Sequence, residues 1–97
     1  MTKDQIIATL QAHQPELRHM GVVSLSLFGS VARNEAGPES DVDLFFDYDD
    51  PRFSLIELIK VQEKVADILG TEVDVTTRDS LHPMLRSDIE SSAITVF

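Results

Sequence analysis

Two segments of the sequence alternate between apolar and polar residues, and this alternation limits the chain to a sheet with one buried face. In residues 22–28 the apolar residues Val23, Leu25 and Leu27 alternate with Ser24 and Ser26. In residues 41–47 the apolar residues Val42, Leu44 and Phe46 alternate with Asp41, Asp43 and Phe45. Successive side chains of a strand point to opposite faces of the sheet. Each segment therefore predicts a strand with one apolar and one polar face.

Helical patterns separate the predicted strands. Thr2 and Gln5 have the spacing of a capping box that opens a first helix, and Pro15 is expected to interrupt its last part. Ser54 and Gly70 are the expected start and end of the longest helix. Its predicted buried stripe consists of Leu55, Leu58, Ile59, Val65, Ala66 and Leu69.

The remaining segments complete an α+β fold. A third strand is predicted at residues 72–76, a short helix at 83–89 and a possible fourth strand at 93–97. This order predicts two layers, with a small twisted mixed sheet of three to four strands and helices packed on one face. The 97 residues are expected to form one domain, spanning residues 1–97.

The composition narrows the class of function. The formal charge is −9, which argues against direct binding of a nucleic-acid backbone, because phosphates attract clustered Lys and Arg. The chain has no cysteine, so it has no disulfide framework and no Cys-ligated metal. It shows neither a signal peptide nor a membrane-spanning run, and a cytoplasmic protein without membrane contact is expected.

Three aspartates form the candidate catalytic and metal-binding set. Asp41 and Asp43 are two residues apart on one strand, so their side chains share the polar face. Asp74 lies on the polar side of the third strand, between Val73 and Val75. Aspartate is a poor strand former and like charges repel, but a divalent cation with oxygen ligands would resolve both conflicts. The alternative is a set of exposed carboxylates along a solvated strand.

Gly29 and Ser30 end the first strand and form the candidate phosphate-binding turn. Glycine permits close approach of the backbone, and the following amides and the Ser30 hydroxyl favour an anion. Arg33, one turn later, could contact the same phosphates. The alternative is a plain strand–helix turn with a capping serine and a surface arginine.

The spacing of these groups predicts nucleotidyl transfer. Ten residues separate Ser30 from Asp41, which places a phosphate-binding turn beside a metal site. Two Mg²⁺ ions held by Asp41, Asp43 and Asp74 would activate a hydroxyl and stabilise departing pyrophosphate. The Gly29-Ser30 turn would orient the triphosphate of a nucleotide for attack at the α-phosphorus.

The segments GSVARNEAGPESDVDLFFDYDD and EVDVTT resemble the minimal nucleotidyltransferase family of the DNA polymerase β-like superfamily. By position, Gly29 and Ser30 match the phosphate-binding turn, Asp41 and Asp43 the metal-binding pair, and Asp74 the third carboxylate. Asn34 departs from the glycine that is frequent there. The resemblance implies an antitoxin that transfers AMP from ATP onto a tyrosine of a cognate HEPN RNase toxin, in a hetero-oligomer.

Two other functions stay open at this point. A protein of the same fold could inhibit a toxin by capping it stoichiometrically without catalysis. A small-molecule nucleotidyltransferase would act on the hydroxyl of an antibiotic or metabolite, but the short chain leaves little room for an acceptor pocket. The acidic loop at residues 47–50 is interpreted as a solvated turn before Pro51, with contact to a partner as the alternative. His13, His19 and His82 are interpreted as surface or helix-end residues. Arg78 and Arg86 are interpreted as surface arginines, with contact to a nucleotide or partner as the alternative.

Overall fold

The computed structural model describes residues 2–33 and 41–97. Within these described residues, five helices, four strands and one 3₁₀ turn follow in the order α1 (Lys3–Ala12), α2 (Gln14–His19), β1 (Ser24–Phe28), α3 (Gly29–Ala32), β2 (Val42–Asp47), α4 (Leu55–Leu69), β3 (Val73–Thr77), the 3₁₀ turn (Arg78–Ser80), α5 (Pro83–Ser92) and β4 (Ile94–Thr95). The expected loop with Gly37 and Pro38, and the departure at Asn34, lie outside the described residues.

The four strands form one mixed sheet in the order β3-β2-β1-β4. β1 pairs antiparallel with β2 and β4, whereas β2 and β3 are parallel. Parallel neighbours need a long crossover, and α4 provides it between β2 and β3. The predicted mixed α+β sheet with a fourth strand is therefore confirmed.

The helix boundaries follow the capping residues of the sequence. The Thr2 hydroxyl accepts from the amide of Gln5 at 3.2 Å, and the Thr2 amide donates to Gln5 Oε1 at 2.9 Å. The Ser54 amide donates to Glu57 Oε2 at 2.9 Å at the start of α4. Gly70 ends that helix in the left-handed conformation with φ +67°. Pro15 lies in the first turn of α2, directly after α1 ends, which confirms the expected interruption.

The core lies between the apolar face of the sheet and the helices. Leu25, Leu27, Leu44 and Phe46 of the central strands are at most 1% exposed, in agreement with the alternation. Val23 does not follow the pattern and is 40% exposed, because β1 begins one residue later, at Ser24.

The buried stripe of α4 differs from the sequence prediction. Val61, Val65 and Leu69 are buried, whereas Leu55 is 69% and Ile59 50% exposed. The helix carries two adjacent apolar stripes, and only the one that includes Val61 and Val65 faces the core. The prediction that Leu55 and Ile59 are buried was wrong, and they face outward.

The polar face of the sheet has two different ends. Towards the C-terminal end of β2, Phe45 is only 2% exposed. The centroid of its ring lies 5.6 Å from that of Phe28, and the Arg78 guanidinium carbon lies over the ring, 4.8 Å from its centroid. Arg78 is held there by Asp47 at 2.8 Å and Glu90 at 3.1 Å. Arg78 therefore shields the Phe45 ring from solvent, whereas the sequence interpretation made it an ordinary surface arginine. Carboxylates occupy the other end of this face.

No helix within residues 2–33 and 41–97 has the length and apolar character that crossing a membrane would require.

Candidate active site

Asp43 and Asp74 are brought together by the parallel pairing of β2 and β3. The register places Asp43 directly opposite Asp74, between the pairs Val42–Val73 and Leu44–Val75. Residues directly opposite each other in a sheet point to the same face. The two carboxylates therefore lie side by side on the polar face, near the N-terminal ends of both strands.

Asp41 lies immediately before β2 and is exposed. The pKa of Asp43 is raised first by burial and then by the negative charges of Asp74 and Asp41. Asp41 therefore interacts electrostatically with Asp43. Arg33 opposes these effects and lowers the pKa in part. The three predicted carboxylates thus form one electrostatically coupled group, and Asp43 is its most buried member.

Gly29 packs directly against Asp43. Its φ is +77°, in the region that favours glycine. A Cβ at this position would overlap Asp43 Oδ2 and lie 3.2 Å from Asp43 Cγ. The preceding residue, Phe28, pairs with Asp43 across the antiparallel strands. The absence of a side chain at residue 29 therefore gives the Asp43 carboxylate its place beside the turn.

The other residues of the predicted phosphate-binding turn follow Gly29 in α3. Ser30 is half-buried in the first turn of this helix, and Arg33 follows its last residue and is exposed. The positive charge of Arg33 lowers the pKa of Asp43, so this arginine lies within electrostatic range of that carboxylate. The structure thus groups all six predicted site residues around the junction of β1, α3 and β2, with Asp74 on the neighbouring strand.

The donor atoms fit a hard divalent cation. Carboxylate oxygens are the ligands that Mg²⁺ prefers. Burial is the main cause of the raised pKa of Asp43, and the negative charges of Asp74 and Asp41, which a cation would offset, add to it. In the part of the chain that the structure describes, no three His, Cys, Asp or Glu side chains form a preassembled metal-ligand set. Like charges keep such carboxylates apart, so a cation would have to draw them together.

Phe28 is a further residue of this surface that the sequence interpretation omits. It is half-buried beside Asp43 on the polar face, with its ring against Phe45. Extending the alternation of β1 by one residue beyond Leu27 would have placed Phe28 on this face. Its ring forms an apolar wall next to the carboxylates.

Comparison with known proteins identifies the family of the chain. The family model for a nucleotidyltransferase domain matches residues 7–96. The protein adenylyltransferase MntA of Thermococcus cleftensis is 38% identical over 82 residues, which cover 84% of this chain and 82% of that protein.

Two solved structures share the fold. A candidate minimal nucleotidyltransferase has a TM-score of 0.83 and 31% identity, with 97% of this chain and 95% of that chain covered. A complex of a tri-AMPylated Shewanella oneidensis HEPN toxin with an MNT antitoxin has a TM-score of 0.65 and 19% identity. That match covers 90% of this chain and 68% of the other. At this identity the second match shows the shared fold alone.

Proposed function

The chain belongs to the nucleotidyltransferase domain family, and from this membership we propose that it is an antitoxin that transfers AMP from ATP onto a tyrosine hydroxyl of a HEPN RNase toxin. Nucleotidyl transfer follows from the family. The protein acceptor is supported by MntA of Thermococcus cleftensis, which is named a protein adenylyltransferase. The toxin partner is supported by the similar fold of the Shewanella oneidensis complex, whose toxin carries AMP groups.

The observation that carries the proposal is the contact between Gly29 and Asp43, with Asp74 opposite Asp43. A triphosphate at the Gly29-Ser30 turn would lie directly beside the carboxylates. Arg33 acts electrostatically on Asp43 and would add a positive charge for the phosphates. A carboxylate cluster at a glycine turn is what a cation–triphosphate complex requires.

Asp41, Asp43 and Asp74 would hold Mg²⁺, which supplies charge neutralisation of the triphosphate and a lower pKa for the attacking hydroxyl. The residues of the chain position the triphosphate relative to the acceptor hydroxyl. The glycine turn holds the phosphates so that the α-phosphorus faces the acceptor, and such positioning lowers the barrier to a displacement. The acceptor oxygen bonds to the α-phosphorus, the bond to pyrophosphate breaks, and the hydroxyl proton passes to a carboxylate of the site.

The sheet edge leaves the carboxylates open to a protein acceptor. β3 is the outer strand of the sheet, and Asp74 on it is exposed. Asp43 is covered on one side by Gly29 and Phe28. We therefore expect the acceptor tyrosine to approach from the side of Asp74, where no other strand lies within the described part of the sheet.

The test is transfer of label from ATP to the toxin. The chain is mixed with the cognate HEPN toxin, Mg²⁺ and ATP labelled at the α-phosphate, and protein-bound label is counted. We expect labelled toxin with the unmodified chain and loss of at least about a hundredfold in rate with Asp41→Asn, Asp43→Asn. Label at the γ-phosphate should stay in solution, because it leaves with pyrophosphate.

Asp67→Asn is the matched control. It removes an exposed carboxylate from α4, on the opposite side of the sheet, and should leave the rate unchanged. Undiminished labelling by the Asp41→Asn, Asp43→Asn variant would refute the assignment of the site. If that variant labels nothing yet still inhibits the toxin at equal molar ratio, stoichiometric capping is the antitoxic mechanism.

A further inference from the structure

The outward face of α4 carries an apolar stripe that the fold does not use. Leu55 is 69%, Ile56 63% and Ile59 50% exposed. These positions are neighbours on one side of a helix, since residues three and four apart lie above each other. Three large aliphatic side chains in one and a half turns form a patch of the kind that marks an interaction surface.

The stripe continues into a cavity of about 440 Å³ at the beginning of α4. The apolar and aromatic part of its lining consists of Tyr48, Phe53, Leu55 and Leu58. The Tyr48 and Phe53 rings stack with their centroids 4.6 Å apart. We call Leu55, Ile56, Ile59 and this cavity the docking surface.

The polar groups of the cavity already satisfy one another. The Tyr48 hydroxyl donates to Asp79 Oδ2 at 2.9 Å, and the Thr77 hydroxyl donates to Asp79 Oδ1 at 2.6 Å. No buried side-chain nitrogen or oxygen in the described part of the chain lacks a partner. The cavity therefore suits an apolar side chain of a partner better than a polar small molecule, which would have to displace these bonds.

The docking surface is separate from the transfer site. Asp43 and Asp74 lie near the N-terminal ends of β2 and β3, whereas Tyr48 and Thr77 lie at the C-terminal ends. The four residue steps from Asp43 to Asp47 span about 13 Å of strand. A partner seated on the docking surface would leave the carboxylates uncovered.

The negative charge around the docking surface favours a positively charged partner. Of the four carboxylates in residues 47–57, Asp47 is paired with Arg78 at 2.8 Å and Asp50 with Arg52 at 3.2 Å. Asp49 and Glu57, with Asp79 in the cavity, supply the remaining negative charge. Lys60 adds a positive charge on α4, but the balance stays negative, as it is for the whole chain at −9. A second copy of the chain would bring the same charge to the contact and be repelled.

We propose that this surface binds an amphipathic α-helix of a partner protein, with an apolar stripe flanked by Lys and Arg. The exposed ridge of α4 can pack into the groove between side-chain rows of such a helix, and one bulky apolar residue would fill the cavity. The flanking cations would pair with the acidic rim. A protein acceptor must be held while its tyrosine reaches the carboxylates, and the docking surface would hold it. The proposed helix binding rests on the proposed function only for the identity of the partner.

The test uses labelled helical peptides of about 18 residues, or about five turns, without nucleotide. One peptide has a leucine stripe flanked by Lys, the second has Glu in place of Lys, and the third scrambles the Lys peptide so that the stripe is lost. Binding to the full chain is measured by fluorescence anisotropy. We expect binding of the first peptide only, and an affinity at least about tenfold lower for Ile56→Gln, Ile59→Gln, which removes two apolar anchors.

Met84→Gln is the control, because Met84 is 83% exposed on α5, outside the docking surface. It should bind the Lys peptide as the unmodified chain does, and circular dichroism should show all variants folded. Equal binding of the Lys and Glu peptides, or of the scrambled peptide, would overturn the proposal. So would unchanged binding by Ile56→Gln, Ile59→Gln, or a dimer in light scattering that this variant abolishes. None of these outcomes depends on nucleotidyl transfer, which the Asp41→Asn, Asp43→Asn variant tests separately.

Discussion

Replacing Gly29 by alanine should separate the role of its backbone from its role at the active site. The φ of Gly29 is +77°, in the left-handed region. An alanine in this conformation costs about 1–2 kcal/mol in stability, because its Cβ crowds the following carbonyl. Gly70 provides a matched substitution, since its φ is +67° and a Cβ would meet nothing within 4 Å. The backbone cost of Gly70→Ala should therefore be similar.

The two variants differ in what the new methyl group meets. At residue 29 it overlaps the Asp43 carboxyl group, which has to move. A displacement of about 1 Å in a reacting arrangement can cost about a hundredfold in rate. We expect Gly29→Ala to lose about that much transfer activity, and Gly70→Ala to keep it.

Both quantities are measurable on the same samples. Thermal unfolding gives the stability loss, for which each kcal/mol lowers Tm by about 4–8 °C in a chain of this size. Transfer is measured with ATP labelled at the α-phosphate, well below the lower Tm. Full activity in Gly29→Ala, or an equal loss in Gly70→Ala, would refute the idea that Gly29 places the Asp43 carboxylate.

Two further predictions concern the stability of the fold. Burial would raise the pKa of Asp47, but hydrogen bonds from Arg78 and Ser24 outweigh it and lower the pKa. This interaction therefore stabilises the fold above the unfolded-state pKa of about 3.9 and is lost as the pH falls through the lower folded pKa. Urea unfolding at pH 6 and pH 3 should show a smaller acid-induced loss for Asp47→Asn, and an unchanged loss would contradict this. Leu44 is 0% exposed and Leu55 is 69% exposed. Truncation of the buried leucine, Leu44→Ala, should cost about 2–5 kcal/mol. Truncation of the exposed one, Leu55→Ala, should cost about 0.5 kcal/mol or less. Equal costs in urea unfolding would contradict the outward orientation of Leu55.

The strands and the carboxylate face were predictable because strand alternation is a local property. The pattern around Val42, Asp43 and Leu44 determines which side chains share a face, and the same holds for the strand around Asp74. The sequence did not predict the register that places Asp43 directly opposite Asp74. This register depends on how α4, which connects the two strands, packs on the sheet.

The buried stripe of α4 shows where local patterns fail. Apolar residues occupy two adjacent sides of this helix, and periodicity alone does not decide which side meets the sheet. The sheet selects the side with Val61 and Val65, which leaves Leu55 and Ile59 outside. The burial of Phe45 is a second example, since its cover comes from residues distant in sequence.

The contact between Gly29 and the carboxylates can be tested most directly with Mn²⁺, which shares the preference of Mg²⁺ for oxygen ligands and broadens nearby NMR signals. Substoichiometric Mn²⁺ is added with ATP to the ¹⁵N-labelled chain. The amide signals of Gly29, Asp43 and Asp74 should broaden first, and those of Gly70 and Ser80 should stay sharp. Broadening centred on the acidic loop at residues 47–50, or spread evenly over the acidic surface, would contradict the assigned site.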